Sequence, residues 1–350
     1  LKPNIIKKKE KPAIRRILVI RFSSIGDIVL TTPVIRALKR HYPEAELHFL
    51  VKKAFRQVVL NNPYIDTIHT YDKEDTDATI RSLQAYQFDF VADLQKNFRS
   101  RKITGALGKP SASFPKLNIR KWLYTSFKLN TLPDKSVVDR YFSAVKKLKV
   151  TNDGAGLDYF IPVEQQTVQD DIPMSHWAGF VGCVIGGSFA TKKFPVHKWI
   201  EFVNICLYPV ILLGGPDDRD EGNEIAAACP GKVYNACGKF NLTESADLVK
   251  RAKVVVSNDT GLMHIAAAFK KPIVSLWGNT TPWLGMFPYY GFNDLTTNIA
   301  PLLAIEEVQG LSCRPCSKLG YARCPKKHFR CMNDIDVKQV AADVEKLWKF

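Results

Sequence analysis

The sequence predicts an α/β protein built from two Rossmann-like, doubly wound domains that face each other across a cleft, and three observations carry that prediction. Residues 15–30 pass from an apolar strand (Ile17-Leu18-Val19-Ile20) through a short polar turn (Ser23-Ser24-Ile25-Gly26-Asp27) into a helix. Residues 254–268 repeat the architecture, with Val254-Val255-Val256, a turn containing Asp259, and a helix with a small-residue face. Apolar runs also alternate with amphipathic patterns through both halves, as parallel sheets with crossover helices require.

In the first half this alternation predicts strands over 15–21, 45–51, 67–71 and 88–94, and helices over 28–41, 54–60 and 76–86. A continuous apolar run needs both sheet faces covered, so 17–20 reads as a central parallel strand. Residues 137–148 follow as an amphipathic helix, and 150–158 with 162–173 form the connection. The second half resumes with strands over 178–185, 210–213 and 232–234, helices over 196–207, 218–228 and 243–251, and a buried strand over 272–278; a last helix covers 337–348. The expected division is a basic leader over 1–14, one domain over 15–160, a second over 161–335 and a C-terminal helix over 336–350.

With 350 residues, of which 46% are hydrophobic, the chain is long enough for two cores. Its apolar runs are strand-length, far short of the roughly 20 residues of a membrane helix. The N-terminal residues show no apolar signal core, so a cytoplasmic protein is expected. The net charge of +16 is unevenly distributed: between Lys96 and Lys128 stand nine Lys or Arg and no Asp or Glu. Such a one-sign field attracts polyanions. No zinc finger, RNA-binding signature or helix-turn-helix accompanies it, so nucleic acid is not the expected partner. Residues 117–128 interleave Ile119, Trp122, Leu123, Tyr124 and Phe127 with Arg120, Lys121 and Lys128, the pattern of a basic amphipathic helix that rests on an anionic membrane or, alternatively, covers a core.

Cys183, Cys206, Cys229 and Cys237 are scattered through apolar contexts, as buried thiols of a reduced protein are. Cys313, Cys316, Cys324 and Cys331 cluster, with His328 among them. Their density suits a structural zinc, reduced thiols or disulfides, although the second half of the cluster lacks a Cys-x-x-Cys knuckle.

The turn after a central parallel strand lies where open α/β sheets bind ligands. There Asp27 is either an N-cap or a functional carboxylate. Gly186-Gly187-Ser188 forms a flexible turn whose N–H groups can reach a phosphate, Lys192 follows it closely, and the helix beginning near Thr260-Gly261 offers its N-terminus. No DxD-like pair of carboxylates ends a strand, so no catalytic metal is expected.

Together, the Ser23-to-Asp27 turn and the Asp259-to-His264 segment resemble the motifs of glycosyltransferase family 9, the ADP-heptose:lipopolysaccharide heptosyltransferases, over most of the chain from Arg15 onward. The resemblance implies the two-domain GT-B fold, an N-terminal acceptor domain and a C-terminal domain for an ADP-sugar donor. It implies inverting transfer with Asp27 as general base and Lys192, in preference to Lys193, at the diphosphate. Gly187, Ser188, Asp259, Thr260, Gly261 and His264 would line the donor, with Asp218 on the ribose and Phe240 beside the adenine. For Phe240 and His264, plain packing is the competing role. Ser24, Asn97, Arg99, Arg120 and Lys121 would face an anionic glycolipid acceptor, with the protein peripheral on the inner membrane face. The basic leader and the cysteine cluster depart from the family pattern. A non-catalytic sugar-nucleotide-binding paralogue and a dinucleotide-dependent oxidoreductase are the alternatives; the latter lacks its three-glycine fingerprint.

Overall fold

A computed structural model describes residues 14–350. The basic leader expected over 1–14 therefore lies, apart from Ile14, outside the described residues.

Two all-parallel sheets organise the chain. The first holds β1 (Arg16–Ile20), β2 (Glu46–Lys52), β3 (Thr67–Tyr71), β4 (Phe90–Asp93) and β5 (Ser111–Ser113) in the order β3-β2-β1-β4-β5. The second holds β6 (Val181–Val184), β7 (Val210–Leu213), β8 (Val233–Asn235), β9 (Val254–Asn258), β10 (Ile273–Trp277) and β11 (Leu303–Glu307) in the order β11-β10-β9-β6-β7-β8. Strand order reverses beside β1 in the first sheet and beside β6 in the second. Such switch points open a crevice at the strands' carboxyl ends, and the turns carrying Asp27, Gly187 and Asp259 all leave from these crevices.

Helices cover the faces. The first half contributes α1 (Ile25–Val29), α2 (Thr32–His41), α3 (Thr76–Gln84), α4 (Phe98–Leu107), α5 (Asn118–Phe127) and α6 (Val137–Tyr141). The second contributes α7 (Val196–Ile205), α8 (Arg219–Ala228), α9 (Leu242–Arg251), α10 (Gly261–Ala268), α11 (Arg330–Asn333) and α12 (Val337–Leu347). Ile17, Leu18, Val19 and Ile20 are all buried, as the apolar run demanded.

Four local expectations are corrected. The single helix expected over 28–41 is two, because Pro33 brings no N–H to the ladder and disfavours helical geometry before it; the Thr31 and Thr32 hydroxyls donate instead to the carbonyls of Ile28 (2.6 Å) and Val29 (2.7 Å). Residues 54–60 form a 3-10 turn over Lys53–Val58. The helix over 137–148 stops at Tyr141 and continues as two 3-10 turns before Lys149, which is left-handed (φ 60°). Strands β5 and β11 are additional to those expected: β5 is a three-residue edge strand of small residues, and β11 is a half-buried edge strand whose apolar run is only four residues long.

The halves are not independent. One apolar cluster runs from Ile17 and Phe49 through Val137, Tyr141 and Leu157 to Ala267, Trp277 and Tyr289. The guanidinium of Arg36, 2% exposed, clamps the connecting segment through Asp153 (2.8 Å), Asp158 and the Gly156 carbonyl (2.9 Å). Among the described residues, no helix is long and apolar enough to cross a membrane.

Candidate active site

The turn after β1 is built around one ion pair. Arg21, 7% exposed, places Nη2 2.5 Å from Asp27 Oδ1, and donates Nη1 to the Leu94 carbonyl (2.7 Å) and the Tyr141 hydroxyl (3.1 Å). Asp27 Oδ2 accepts from the Ser24 hydroxyl (2.9 Å) and Ser24 N–H (3.3 Å), which makes Ser24 the N-cap of α1 and puts Asp27 in its first turn. Burial alone would raise the Asp27 carboxyl, but Arg21 and the Ser24 hydrogen bonds outweigh it and hold the group below the ordinary carboxylate range. Asp27 is therefore ionised at neutral pH and fixed in orientation.

Across the cleft, β9 ends at Asn258, whose amide donates to the carbonyls of Val184 (3.2 Å), Ile185 (3.2 Å) and Gly186 (3.3 Å) and accepts from Phe194 N–H (3.0 Å). One buried side chain thus holds both ends of the glycine turn that contains Gly187 and Ser188. Next to it, Lys192 Nζ lies 2.5 Å from Asp259 Oδ2, which also accepts from the Thr280 hydroxyl (3.0 Å). Thr260 is the N-cap of α10, so its first N–H groups open beside this pair.

The two sides meet at glycines. A Cβ on Gly261 would stand 2.7 Å from Ile25 Cβ, and one on Gly26 would stand 2.5 Å from His264 Cδ2. Only bare backbone lets α1 and α10 approach this closely. His264 is 2% exposed, with Nδ1 unpaired. Burial pushes its pKa down to about 4, so the ring is neutral. The structure places His264 in the packed seam between the halves.

Lys193 takes a separate post: its Nζ bridges Asp218 (2.9 Å) and Glu221 (2.5 Å). Asp218 is buried and also accepts from Gly215 N–H (2.8 Å), so both its oxygens are engaged inside the protein; Glu221, one turn on, is the more open acid. Phe240 is half-buried against the core just before the N-cap of α9, and Ser188 is exposed.

In the first half, Asn97 is the N-cap of α4, its side chain accepting from Ser100 N–H (2.9 Å), while buried Asp93 accepts from Gln95 and Lys96 N–H and from the Ser100 hydroxyl. Arg99 is half-exposed and makes no ion pair among the described residues. The grouping of Arg120 with Lys121 on one membrane-facing surface is corrected. Arg120 is exposed, as are Ile119 (75%), Trp122 (56%) and Phe127 (58%). Lys121 lies on the inner side of α5, within the field of Asp27 and Arg140, and burial pushes its ammonium down to about 7.

The zinc expectation does not fit. All four clustered cysteines are free thiols, and among the described residues no group of three or more His, Cys, Asp or Glu is placed to hold a metal ion. Cys331 is buried at the start of α11, Cys313, Cys316 and Cys324 are half-buried in the loop before it, and Cys313 Sγ meets His328 Nε2 at 3.8 Å. What ties this loop down is Arg314, which donates to the carbonyls of Gly278 (2.6 Å), Val308 (2.7 Å) and Thr280 (3.0 Å) and pairs with Glu307 (2.6 Å).

Reading the sequence missed Arg21, Asn258, Thr280 and Glu221. Arg21 carried a signal, a lone charge ending an apolar strand; the others carried none, because their partners are 21 or more residues away.

Residues 77–297 match glycosyltransferase family 9 (heptosyltransferase). Lipopolysaccharide heptosyltransferase 2 of Salmonella typhimurium is 25% identical over 294 residues, 76% of this chain and 84% of that protein. The lipopolysaccharide core heptosyltransferase OpsX of Haemophilus influenzae is 24% identical over 349 residues, 96% and 98% of the two chains. In fold, the chain is similar to a glycosyl transferase family 9 protein from Veillonella parvula (TM-score 0.73, 21% identity, 96% and 97% covered) and to E. coli heptosyltransferase WaaC with ADP (TM-score 0.67, 19% identity, 95% and 99% covered). The two parallel sheets are thus those of a GT-B fold, and the chain belongs to glycosyltransferase family 9 and is a glycosyltransferase.

Proposed function

We propose that this enzyme transfers a heptose from an ADP-sugar to an anionic lipopolysaccharide-type acceptor with inversion at the anomeric carbon, residues 15–160 holding the acceptor and 161–335 the donor. The observation that carries the proposal is the glycine contact between α1 and α10, which brings the ionised Asp27 and the Lys192–Asp259 pair to one cleft. The acceptor hydroxyl attacks the anomeric carbon from the face opposite the diphosphate. As the new C–O bond forms, that oxygen becomes acidic and its proton passes to Asp27. The glycosidic bond to phosphate breaks, and ADP leaves with the electron pair. Lys192 and the first N–H groups of α10 meet the charge that grows on the diphosphate. Asp259, held by Lys192 and Thr280, faces the sugar hydroxyls, and the Lys193-held pair Asp218–Glu221 lies toward the ribose. A protein that only bound the sugar nucleotide would need no oriented carboxylate on the acceptor side. The outward face of α5, with Ile119, Arg120, Trp122 and Phe127, and Phe98 of α4 rest on the membrane that carries the acceptor. Incubation with ADP-heptose and heptose-deficient lipopolysaccharide should add the mass of one heptose to the glycolipid. No mass gain with intact donor and acceptor would refute the assignment.

A further inference from the structure

Residues 308–329 form neither helix nor strand, yet they stand directly behind the donor-side ion pair. Lys192 ends the 3-10 turn Ala190–Lys192, and Asp259 lies in the short turn between β9 and α10. Their 2.5 Å contact joins a long side chain to a turn, and neither element by itself fixes where the carboxylate points. The Thr280 hydroxyl does so, donating to Asp259 Oδ2 (3.0 Å) from a residue that is 1% exposed.

The loop grips both turns from behind. Arg314, its side chain 8% exposed, donates Nε to the Gly278 carbonyl (2.6 Å) and Nη2 to the Thr280 carbonyl (3.0 Å), and Glu307 at the end of β11 anchors the same guanidinium at 2.6 Å. Cys316 N–H donates to the Asn279 carbonyl (3.2 Å), so the consecutive carbonyls of 278, 279 and 280 are all taken by Arg314 and Cys316. On the Lys192 side, Thr191 N–H donates to the Tyr321 carbonyl (3.2 Å) and the Thr191 hydroxyl accepts from Tyr321 N–H (2.8 Å). The segments meet at backbone distance: a Cβ on Gly278 would stand 2.8 Å from the Thr191 carbonyl oxygen, and one on Gly320 2.5 Å from Phe189 Cβ.

We infer that Arg314 is a positioning residue for the donor sugar: by holding the Thr280 carbonyl it aims the Thr280 hydroxyl, which fixes the Asp259 carboxylate beside Lys192. Arg314 acts only through Thr280. The carbonyls of Gly278, Thr280 and Val308 converge on one planar, permanently charged fork, an arrangement that the point charge of a lysine does not match. A sugar held at one angle reaches the geometry of attack, and a small misplacement costs rate. The inference rests on the proposed placing of Asp259 at the sugar and Lys192 at the diphosphate, and part of its test needs no ligand.

Thr280→Val keeps the shape of the side chain and removes only the hydroxyl. In calorimetry and kinetics it should weaken ADP-heptose binding and raise the ADP-heptose KM about tenfold, the loss expected of one hydrogen bond to a charged group, while ADP, which lacks the sugar, binds within about threefold of wild type. Thr280→Ser, which retains a hydroxyl, should recover both. Arg314→Met combined with Glu307→Gln strands no buried charge and should show the same split between ADP-heptose and ADP. Adding Thr280→Val to that pair should make binding no worse, as residues acting in one chain require. In the ligand-free protein, hydrogen exchange at amides 259–262 should speed up in the Thr280→Val and Arg314→Met/Glu307→Gln proteins, while amides 17–20 of β1 keep their protection. Equal losses of ADP and ADP-heptose affinity, losses that simply add in the triple variant, or wild-type binding and exchange in Thr280→Val would each overturn the inference and leave the loop as scaffold. Wild type that binds ADP but not ADP-heptose would instead refute the donor reading, and the exchange measurement alone would then decide the positioning role.

Discussion

Arg21 Nη2 and Asp27 Oδ1 are 2.5 Å apart in the turn after β1, and every other side-chain nitrogen of that arginine donates to the Ser23 carbonyl, the Leu94 carbonyl or the Tyr141 hydroxyl. The arginine is thereby a fixed mount, tied to the ends of β1 and β4 and to α6, and it holds the carboxylate in one orientation and one charge state.

Asp27→Asn should reduce transfer by about 10² to 10⁴, the loss typical of a removed general base, with ADP-sugar affinity within a few fold of wild type. Steady-state kinetics and calorimetric donor binding check both halves. Arg21→Met should move the acid limb of the kcat/KM profile upward, because the cation that depresses the Asp27 pKa is gone.

The two adjacent lysines should fail differently. Lys192→Ala should weaken ADP-sugar binding and lower kcat together, since a charge-assisted contact to the diphosphate strengthens as ADP departs. Lys193→Ala strands the buried carboxylate of Asp218 and should chiefly lower Tm. Thermal melts beside kinetics separate the two; equal Tm losses would place both lysines in the scaffold.

Stability should fall in mild acid through His264. Its pKa is near 6.5 unfolded and about 4 folded, so between these values the unfolded chain binds the extra proton. The contribution, on the order of 3 kcal/mol for such a shift, is complete above pH 6.5 and is lost as pH falls toward 4. His69, also held at about 4 by burial and His48, adds to the same window. Urea unfolding of His264→Gln between pH 7 and 4 should show a shallower slope than wild type.

Gly26→Ala should cost about 1–3 kcal/mol from overpacking, because the new methyl would stand 2.5 Å from the buried His264 ring. Pushing α1 off α10 also moves Asp27 away from the donor side, so kcat should fall while the ADP affinity changes little. Calorimetric Tm and single-turnover rates test this; a fully active Gly26→Ala enzyme would show that the seam is not what sets the distance.

Arg120→Glu and Trp122→Ser should each lower binding to anionic liposomes, and 0.5 M salt should weaken wild-type attachment, each cation near such a surface being worth on the order of 1 kcal/mol. Lys121→Met should leave liposome binding intact, because that side chain lies on the inner side of its helix. Flotation assays decide between this face and an ordinary solvated one.

Much of the architecture was legible because strands β1, β2, β4, β6, β7, β9 and β10 are apolar runs whose burial on both faces leaves a pattern in the chain itself. The turns around Asp27 and Asp259 were legible for the same reason, since a polar turn between a buried strand and a helix marks a strand's carboxyl end. Composition alone also showed the cationic stretch from Lys96 to Lys128. What the chain could not show is which side of α5 each cation takes, since Arg120 and Lys121 are neighbours in sequence and part company only when the helix packs. Nor could it show that Lys193 guards Asp218 or that Asn258 ties down a turn more than 60 residues away. Those are statements about distance between remote segments, and only the packing of one half against the other, through Gly26 and Gly261, decides them.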